Sequence, residues 1–156
     1  MVANPSETTI RDATEADLPR LVELLAQLSL DTPRDDAGPP LVEAYREAFR
    51  RIEDDPRQRL LVVATAGRVV GTAALVIVPN LSHHGRPYAV IESVVVDAAE
   101  RSLGYGALLM QYLVAEARQA GCHKVTLTSN KLRPDAHRFY RRLSFVATHE
   151  GFRIDF

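Results

Sequence analysis

Two apolar runs joined by a tight turn constrain this chain more than any other feature. Arg59–Thr65 is almost continuous Leu and Val, Ala66-Gly67 is turn-forming, and Arg68–Val78 returns as apolar, β-branched chain until Pro79. That is the pattern of a β-hairpin. After a loop Pro79–Pro87 rich in Pro, Gly and His, another strand reads over Tyr88–Val96. A short first strand reads over Thr8–Asp12, and Lys124–Ser129 alternates as a further one. Phe145–Phe156 holds one bent strand or two short ones.

Helical spacing fills most of the rest. Leu18, Leu21, Val22, Leu25 and Leu28 form one stripe, with Asp17 as N-cap and Pro19 in the first turn. The loop Asp31–Pro40 leads to a second helix over Leu41–Asp54. Leu103–Ala120 repeats the helical period, and Pro134–Leu143 is a short helix. Hairpins come first and a strand–helix–strand unit follows. The expected fold class is therefore α/β, with a mixed, mostly antiparallel central sheet of about six to seven strands and helices on both faces. Across 156 residues there is no repeat or linker, so a single domain over 1–156 is expected, with 1–7 a disordered tail.

Charge and cysteine usage exclude several classes. A net charge of −1 gives no electrostatic case for nucleic acid or an anionic membrane. No apolar run approaches the ~20 residues that a membrane span needs. Met1–Thr9 is polar and lacks the pattern of a secretory signal. Cys122 is the single cysteine, so no intramolecular disulfide forms and a cytoplasmic, soluble protein is the default. Cys122 has no base in register to make it a nucleophile. Arg133, Arg138, Arg141 and Arg142 crowd one segment and read as a solvated helix face rather than a phosphate site. No His, Cys or carboxylate spacing suggests a metal, and His137 and His149 read as exterior or structural.

The chemistry points to the turn Arg101-Ser102-Leu103-Gly104-Tyr105-Gly106-Ala107, between a strand and a helix. A helix N-terminus offers unpaired N–H groups and partial positive charge, and glycines let backbone approach a phosphate. A dinucleotide fingerprint would need a third glycine where Leu109 stands, and an acidic residue about twenty residues on, where Lys124–Asn130 supplies none. A P-loop would need Gly-Lys-Ser/Thr, which is absent. By itself the turn says only that an anion sits at a helix N-terminus.

Arg101-x-x-Gly104-x-Gly106 after a strand resembles the pyrophosphate motif of the GNAT superfamily of N-acetyltransferases. A second matching signature follows: Asn130, then Ala136-x-x-Phe139-Tyr140, then Leu143-Ser144-Phe145. The segments Ile91–Val96 and Asp135–Tyr140 look closest to the branch that acetylates small phosphorylated or phosphonate amines. The resemblance implies acetyl-CoA as acyl-donor substrate. The backbone of the strand Val94-Val95-Val96, through Val94 and Val96, would contact the pantetheine arm. Arg101, Ser102 and the N–H groups of Leu103, Gly104, Tyr105, Gly106 and Ala107 would take the pyrophosphate. Asn130, Ala136, Phe139 and Tyr140 would line the thioester end. Ser102 and Ser144 stand where glycine is usual, and superfamily members are frequently dimers, so a homodimer is a possible partner state.

Two readings of Tyr140 stand. It is a core tyrosine whose hydroxyl bonds a backbone carbonyl, or, in the family, the acid that protonates the departing thiolate. A phenol of pKa about 10 can supply a thiolate whose conjugate thiol has pKa about 8.5. Glu92 shares a face with Tyr88, Val90, Val94 and Val96 by period two. A carboxylate buried there is either an ion-pair partner or a base toward an ammonium, directly or through water. Backbone N–H near Val94 could hold the oxyanion. His83, His84 and Arg86 lie in the preceding loop as surface residues or as contacts to an anionic substrate group. The expected activity is direct acetyl transfer from acetyl-CoA to a primary amine of a small molecule. A protein or peptide amine as acceptor, and a non-catalytic acyl-CoA-binding regulatory module, are the alternatives.

Overall fold

The computed structural model describes residues 8–30, 35 and 38–156. The expected disordered tail, 1–7, and most of the loop Asp31–Pro40 lie outside them. The chain divides into two compact units, Met1–Thr126 and Leu127–Phe156.

The first unit is built on one sheet in the order β1-β2-β3-β4-β5. Its strands are β1 (Thr8–Asp12), β2 (Gln58–Thr65), β3 (Arg68–Val78), β4 (Tyr88–Val96) and β5 (Val125–Thr126). The first three pairings are antiparallel and β4–β5 is parallel. The sheet is therefore mixed and mostly antiparallel, as expected, but it has five strands among the described residues rather than six to seven. Lys124–Ser129 shortens to the two residues of β5, and Phe145–Phe156 contains no strand. Alternation defines two faces, yet a strand also needs an edge to bond. Phe152, Ile154 and Phe156 alternate, and all three are exposed.

Helices cover both faces of this sheet. Leu18, Leu21 and Leu24 of α1 (Leu18–Ala26) and Phe49 of α2 (Glu43–Asp54) share one core with Val62, Ala64, Val69 and Val95. The intervening residues Leu61 and Val63 belong to the opposite face, and α3 (Tyr105–Gln119) packs on β2, β3 and β4 through Leu109, Met110, Leu113 and Ala117. The β2–β3 turn puts Ala66 and Gly67 at φ 48° and 74°, the backbone of a type I′ hairpin. Asp17 stands at the N-cap position of α1 but makes no cap bond to it. Its carboxylate accepts instead from the Arg11 guanidinium (2.7 and 2.9 Å) and from Thr14 N–H (2.8 Å), and these partners lower its pKa to about 2.

The second unit contains α4 (Pro134–Arg142). The helix ends with Ser144 in the left-handed region at φ 68°. Ser144 N–H donates to Arg141 O and Phe145 N–H to Tyr140 O, both at 3.0 Å. This is a Schellman closure, and its apolar contact is the Tyr140–Phe145 ring pair, with centroids 6.1 Å apart. Among the described residues no helix is long and apolar enough to cross a membrane.

Candidate functional site

A break in β4 organises the site. Ala74 pairs with Glu92 while Thr72 pairs with Val95, so β4 carries an extra residue between those points. Ser93 takes it up at φ 54°. This is a β-bulge, and it reverses the alternation beyond it. Val95, rather than Val94 or Val96, therefore shares the face of Glu92, and Val95 joins the α1–α2 core. The bulge lies against Gly71, where a Cβ would stand 2.9 Å from Val95 O and 3.0 Å from Val63 Cγ1. Only a residue without a side chain lets β3 come this close.

Among the described residues the parallel pairing of β4 with β5 stops at Val90, so no strand pairs with the outer edge of β4 past the bulge. Asp97 N–H donates to Val70 O of β3 (2.8 Å). By alternation, the N–H groups of Val96 and Val94 face the open edge. A polar arm laid along that edge finds unused backbone donors. Glu92 is exposed, which removes the burial on which its stronger basicity was expected to rest.

Beyond Val96 the chain crosses to α3 through a short 3₁₀ segment, Ala98–Glu100. Ser102 and Gly104 then both adopt left-handed backbone, at φ 67° and 99°. As a result α3 begins at Tyr105, later than the helical period at Leu103 suggests. The first bond into the helix runs from Leu108 N–H to Gly104 O (3.1 Å). The N–H groups of Leu103, Gly104, Tyr105, Gly106 and Ala107 consequently have no acceptor among the described residues. Positive helix-dipole charge adds to theirs. Two carboxylates flank the turn, and both are neutralised: Asp97 by Arg20 and Glu100 by Arg68. Arg101 donates through Nε to Val96 O (3.3 Å) and is exposed. These features suit an anion: five consecutive N–H groups, an exposed Gly104, and neighbouring carboxylates that are each paired with an arginine.

The other end of β4 holds His83, His84 and Arg86, which the structure does not bring to the turn. The strand's nine residues separate them, roughly 30 Å of extended chain. The expected loop contains a left-handed turn, with His83, His84 and Gly85 at φ 54°, 60° and 75°. The His83 ring stacks on His123 at 3.7 Å, and Lys124 Nζ lies 5.5 Å from the Tyr88 ring centre. Arg86 donates to Gly121 O and Cys122 O (3.4 and 3.3 Å). His123 Nε2 is buried without a partner. Burial, followed by the nearby His83, Lys124 and Arg86, pushes the His123 pKa down. Burial pushes the Cys122 thiol up, which agrees with a cysteine that is no nucleophile. A depression of about 550 Å³ is lined by Ile77, Pro79, Asn80, Leu81, Gly85 and Pro87, and no residue of the glycine turn lines it.

The second unit carries Asn130, Ala136, Phe139 and Tyr140. Asn130 Oδ1 accepts from Leu132 N–H (2.9 Å), and its carbonyl accepts from Arg133 N–H (3.0 Å) and His137 Nε2–H (2.9 Å). His137 is thus structural, as expected, and Asn130 shapes the entry to α4. Tyr140 is half-buried between Phe139 and Phe145, with ring centres at 5.2 and 6.1 Å. Ala136, Phe139, Tyr140 and Leu143 form the less exposed stripe of the helix, while Arg138, Arg141 and Arg142 are exposed as a solvated face. No group of three or more His, Cys, Asp or Glu among the described residues is placed to hold a metal ion.

Three residues important to this geometry escape the motif pattern: Ser93, Gly71 and Asp97. For Ser93 a signal existed, since Glu92-Ser93 sets two polar residues side by side in a strand that otherwise alternates or is apolar.

Comparison with known proteins places the geometry in context. The acetyltransferase (GNAT) family profile matches residues 22–145. The chain is 35% identical over 149 residues to a glucosamine 6-phosphate N-acetyltransferase of Trypanosoma brucei brucei, covering 94% of each chain. It is 34% identical over 110 residues to the aminoalkylphosphonate N-acetyltransferase of Salmonella typhimurium, covering 70% of this chain and 71% of that one. A crystal structure named as a transcriptional regulator from Bacillus halodurans C-125 matches with a TM-score of 0.91 at 38% identity, over 96% of this chain and 99% of that one.

Proposed function

The chain belongs to the acetyltransferase (GNAT) family of N-acetyltransferases, and from that premise we propose that it moves an acetyl group from acetyl-CoA directly to the primary amine of a small molecule. The observation that carries the reading is the set of five N–H groups from Leu103 to Ala107 that have no acceptor among the described residues, suited to a pyrophosphate. The open β4 edge beyond Ser93, with Val94 and Val96 facing outward, is the surface for the pantetheine arm.

In the proposed reaction, Glu92 or a water it holds takes the proton from the substrate ammonium. Its exposure leaves the carboxylate reachable from solvent. The freed amine attacks the thioester carbonyl, and Val94 N–H stabilises the oxygen as it gains charge. The carbon–sulfur bond then breaks, and by family resemblance Tyr140 gives its phenolic proton to the thiolate. The nitrogen gives its second proton to solvent as the intermediate collapses to the amide, and solvent returns Glu92 and Tyr140 to their starting states. No covalent enzyme intermediate is required.

The two named relatives act on amines that carry a phosphate or phosphonate. We extend that substrate class to this chain, with His83, His84 and Arg86 as candidate contacts to the anionic group. A cytoplasmic setting goes with this substrate class and with the single cysteine.

The test is release of coenzyme A thiol across a panel of small amines, including phosphorylated and phosphonate amines, and peptides. Tyr140→Phe should lower kcat by about a hundredfold while donor affinity is nearly kept. Unchanged turnover would remove Tyr140 as the acid. The similarity to a protein named as a transcriptional regulator keeps one rival, a non-catalytic acyl-CoA-binding module. Coenzyme A binding with no turnover on any amine or peptide would favour it.

A further inference from the structure

We infer that Arg20 and Gln27 on α1 are positioning residues for the donor turn, fixing through Asp97 and Ala98 where the N–H groups of Leu103 to Ala107 point. The inference rests on the reading of that turn as the pyrophosphate site.

Those N–H groups have no acceptor among the described residues, so their direction is inherited from the bridge Asp97–Arg101. The bridge is tied from two sides. From the sheet come Asp97 N–H to Val70 O (2.8 Å), Arg101 Nε–H to Val96 O (3.3 Å) and the Arg68–Glu100 pair. From α1 come two side chains distant in sequence. Arg20 donates through Nε to Val69 O (3.1 Å) and pairs with the Asp97 carboxylate, which also accepts from Ala99 N–H (2.9 Å). Gln27, at the C-cap of α1, accepts from Ala98 N–H through Oε1 (2.9 Å).

The helix that supplies them is a rigid mount, since Leu18, Leu21, Val22 and Leu24 are buried. Asp97 is held ionised below the usual carboxylate range by Ala99 N–H and Arg20, so the charge pair persists at neutral pH. Several N–H groups can meet one diphosphate only if they are held within about 0.5 Å of the productive positions. Without the α1 ties, the bridge hangs from strand ends alone, and the donors spread over many directions. Donor affinity then falls, while the groups that react keep their chemistry.

The experiment is calorimetric titration of the full chain with coenzyme A, alongside kcat at saturating acetyl-CoA and the melting temperature. Arg20→Met should weaken binding about tenfold and Gln27→Ala about threefold, each keeping kcat within about twofold. Arg20→Lys should fall between wild type and Arg20→Met, because an ammonium keeps the charge but lacks the planar fork whose separate Nε and Nη2 donors reach Val69 O and Asp97. Arg20→Met combined with Asp97→Asn should bind no more weakly than Arg20→Met, since both act through one pair. A merely structural role lowers the melting temperature and the binding stoichiometry but leaves Kd unchanged. Wild-type Kd in Gln27→Ala and Arg20→Lys, which carry the test if Arg20→Met fails to fold, would overturn the inference. A wild-type chain that binds no coenzyme A would overturn the reading of the turn and this inference with it.

Discussion

At its C-terminal end β4 runs into a bridge held by paired charges and directed bonds, with Arg20 on Asp97, Arg68 on Glu100 and Gln27 on Ala98. At its N-terminal end it is entered from a left-handed turn held by an imidazole stack, with Arg86, Lys124 and His123 gathered and no described carboxylate paired to them. The first end spends its charges on fixing backbone and leaves free N–H groups just beyond. The second end keeps cationic groups uncompensated, which suits a region awaiting an anion or responding to protons. One strand thus joins a cradle, the turn whose flanking charges are paired, to a rim whose arginine and lysine pair with no described carboxylate.

The sharpest way to break the comparison is to disturb the cradle at Gly104. Its φ of 99° excludes a β-branched residue, although a Cβ would meet nothing within 4 Å. Gly104→Val should therefore weaken coenzyme A binding by about a hundredfold through backbone rearrangement. Gly85→Ala, also at positive φ but on the rim, should leave that affinity as it is. Equal losses in the two variants, measured by titration, would end the distinction.

Next in size is Gly71→Ala. The added Cβ would press on Val95 O at 2.9 Å and displace the bulge, lowering stability by about 2 kcal/mol. Chemical denaturation reads that loss, and kcat/KM should fall with it. Stability within error of wild type would show that β3 does not hold the bulge.

The rim should respond to pH where the cradle does not. Because the fold lowers the pKa of His123, the unfolded chain binds its proton more readily. This contribution to stability is present above the ordinary histidine value of about 6.5 and is lost as pH falls through it toward the lowered value. The Asp97 pKa is also lowered, so its contribution survives until the pH falls toward the carboxylate range. Melting temperature should drop between pH 7.5 and 5.5, and His123→Phe, which keeps a ring in the stack, should flatten that slope. The same slope in the variant would sink the assignment.

The smallest effect belongs to Ser102. Its φ of 67° is a strained position that glycine relieves, while glycine also loosens the unfolded chain. Ser102→Gly should change stability by less than about 1 kcal/mol and leave kcat unchanged, as a melting curve and a rate assay would show.

Legibility followed the range of the interactions. β3 and β4 occupy Arg68–Val78 and Tyr88–Val96, as their sequence pattern predicts, because long apolar runs are bounded by turn residues. The backbone of the glycine turn was legible only in part: the helix expected from Leu103 begins at Tyr105, because Ser102 and Gly104 adopt left-handed backbone. The bulge at Ser93 was not legible, since period-two reasoning assumes an unbroken strand. Arg20 and Gln27 lie 77 and 71 positions from their partners, beyond any periodicity. Glu92 was expected to be buried because its neighbours are apolar, but a face at the margin of a sheet is not always covered. Phe152, Ile154 and Phe156 alternate like a strand without forming one, because alternation says nothing about the partner edge.

Cys122 bears on how all of this is measured. Acetyl transfer liberates a thiol, and a chromogenic disulfide reagent counts thiols wherever they are accessible. The chain's one sulfhydryl is enclosed and kept protonated, so the folded protein hides its own sulfur from the reagent. Colour then reports donor consumption alone. A delayed extra equivalent, one per chain, would record unfolding in the same cuvette.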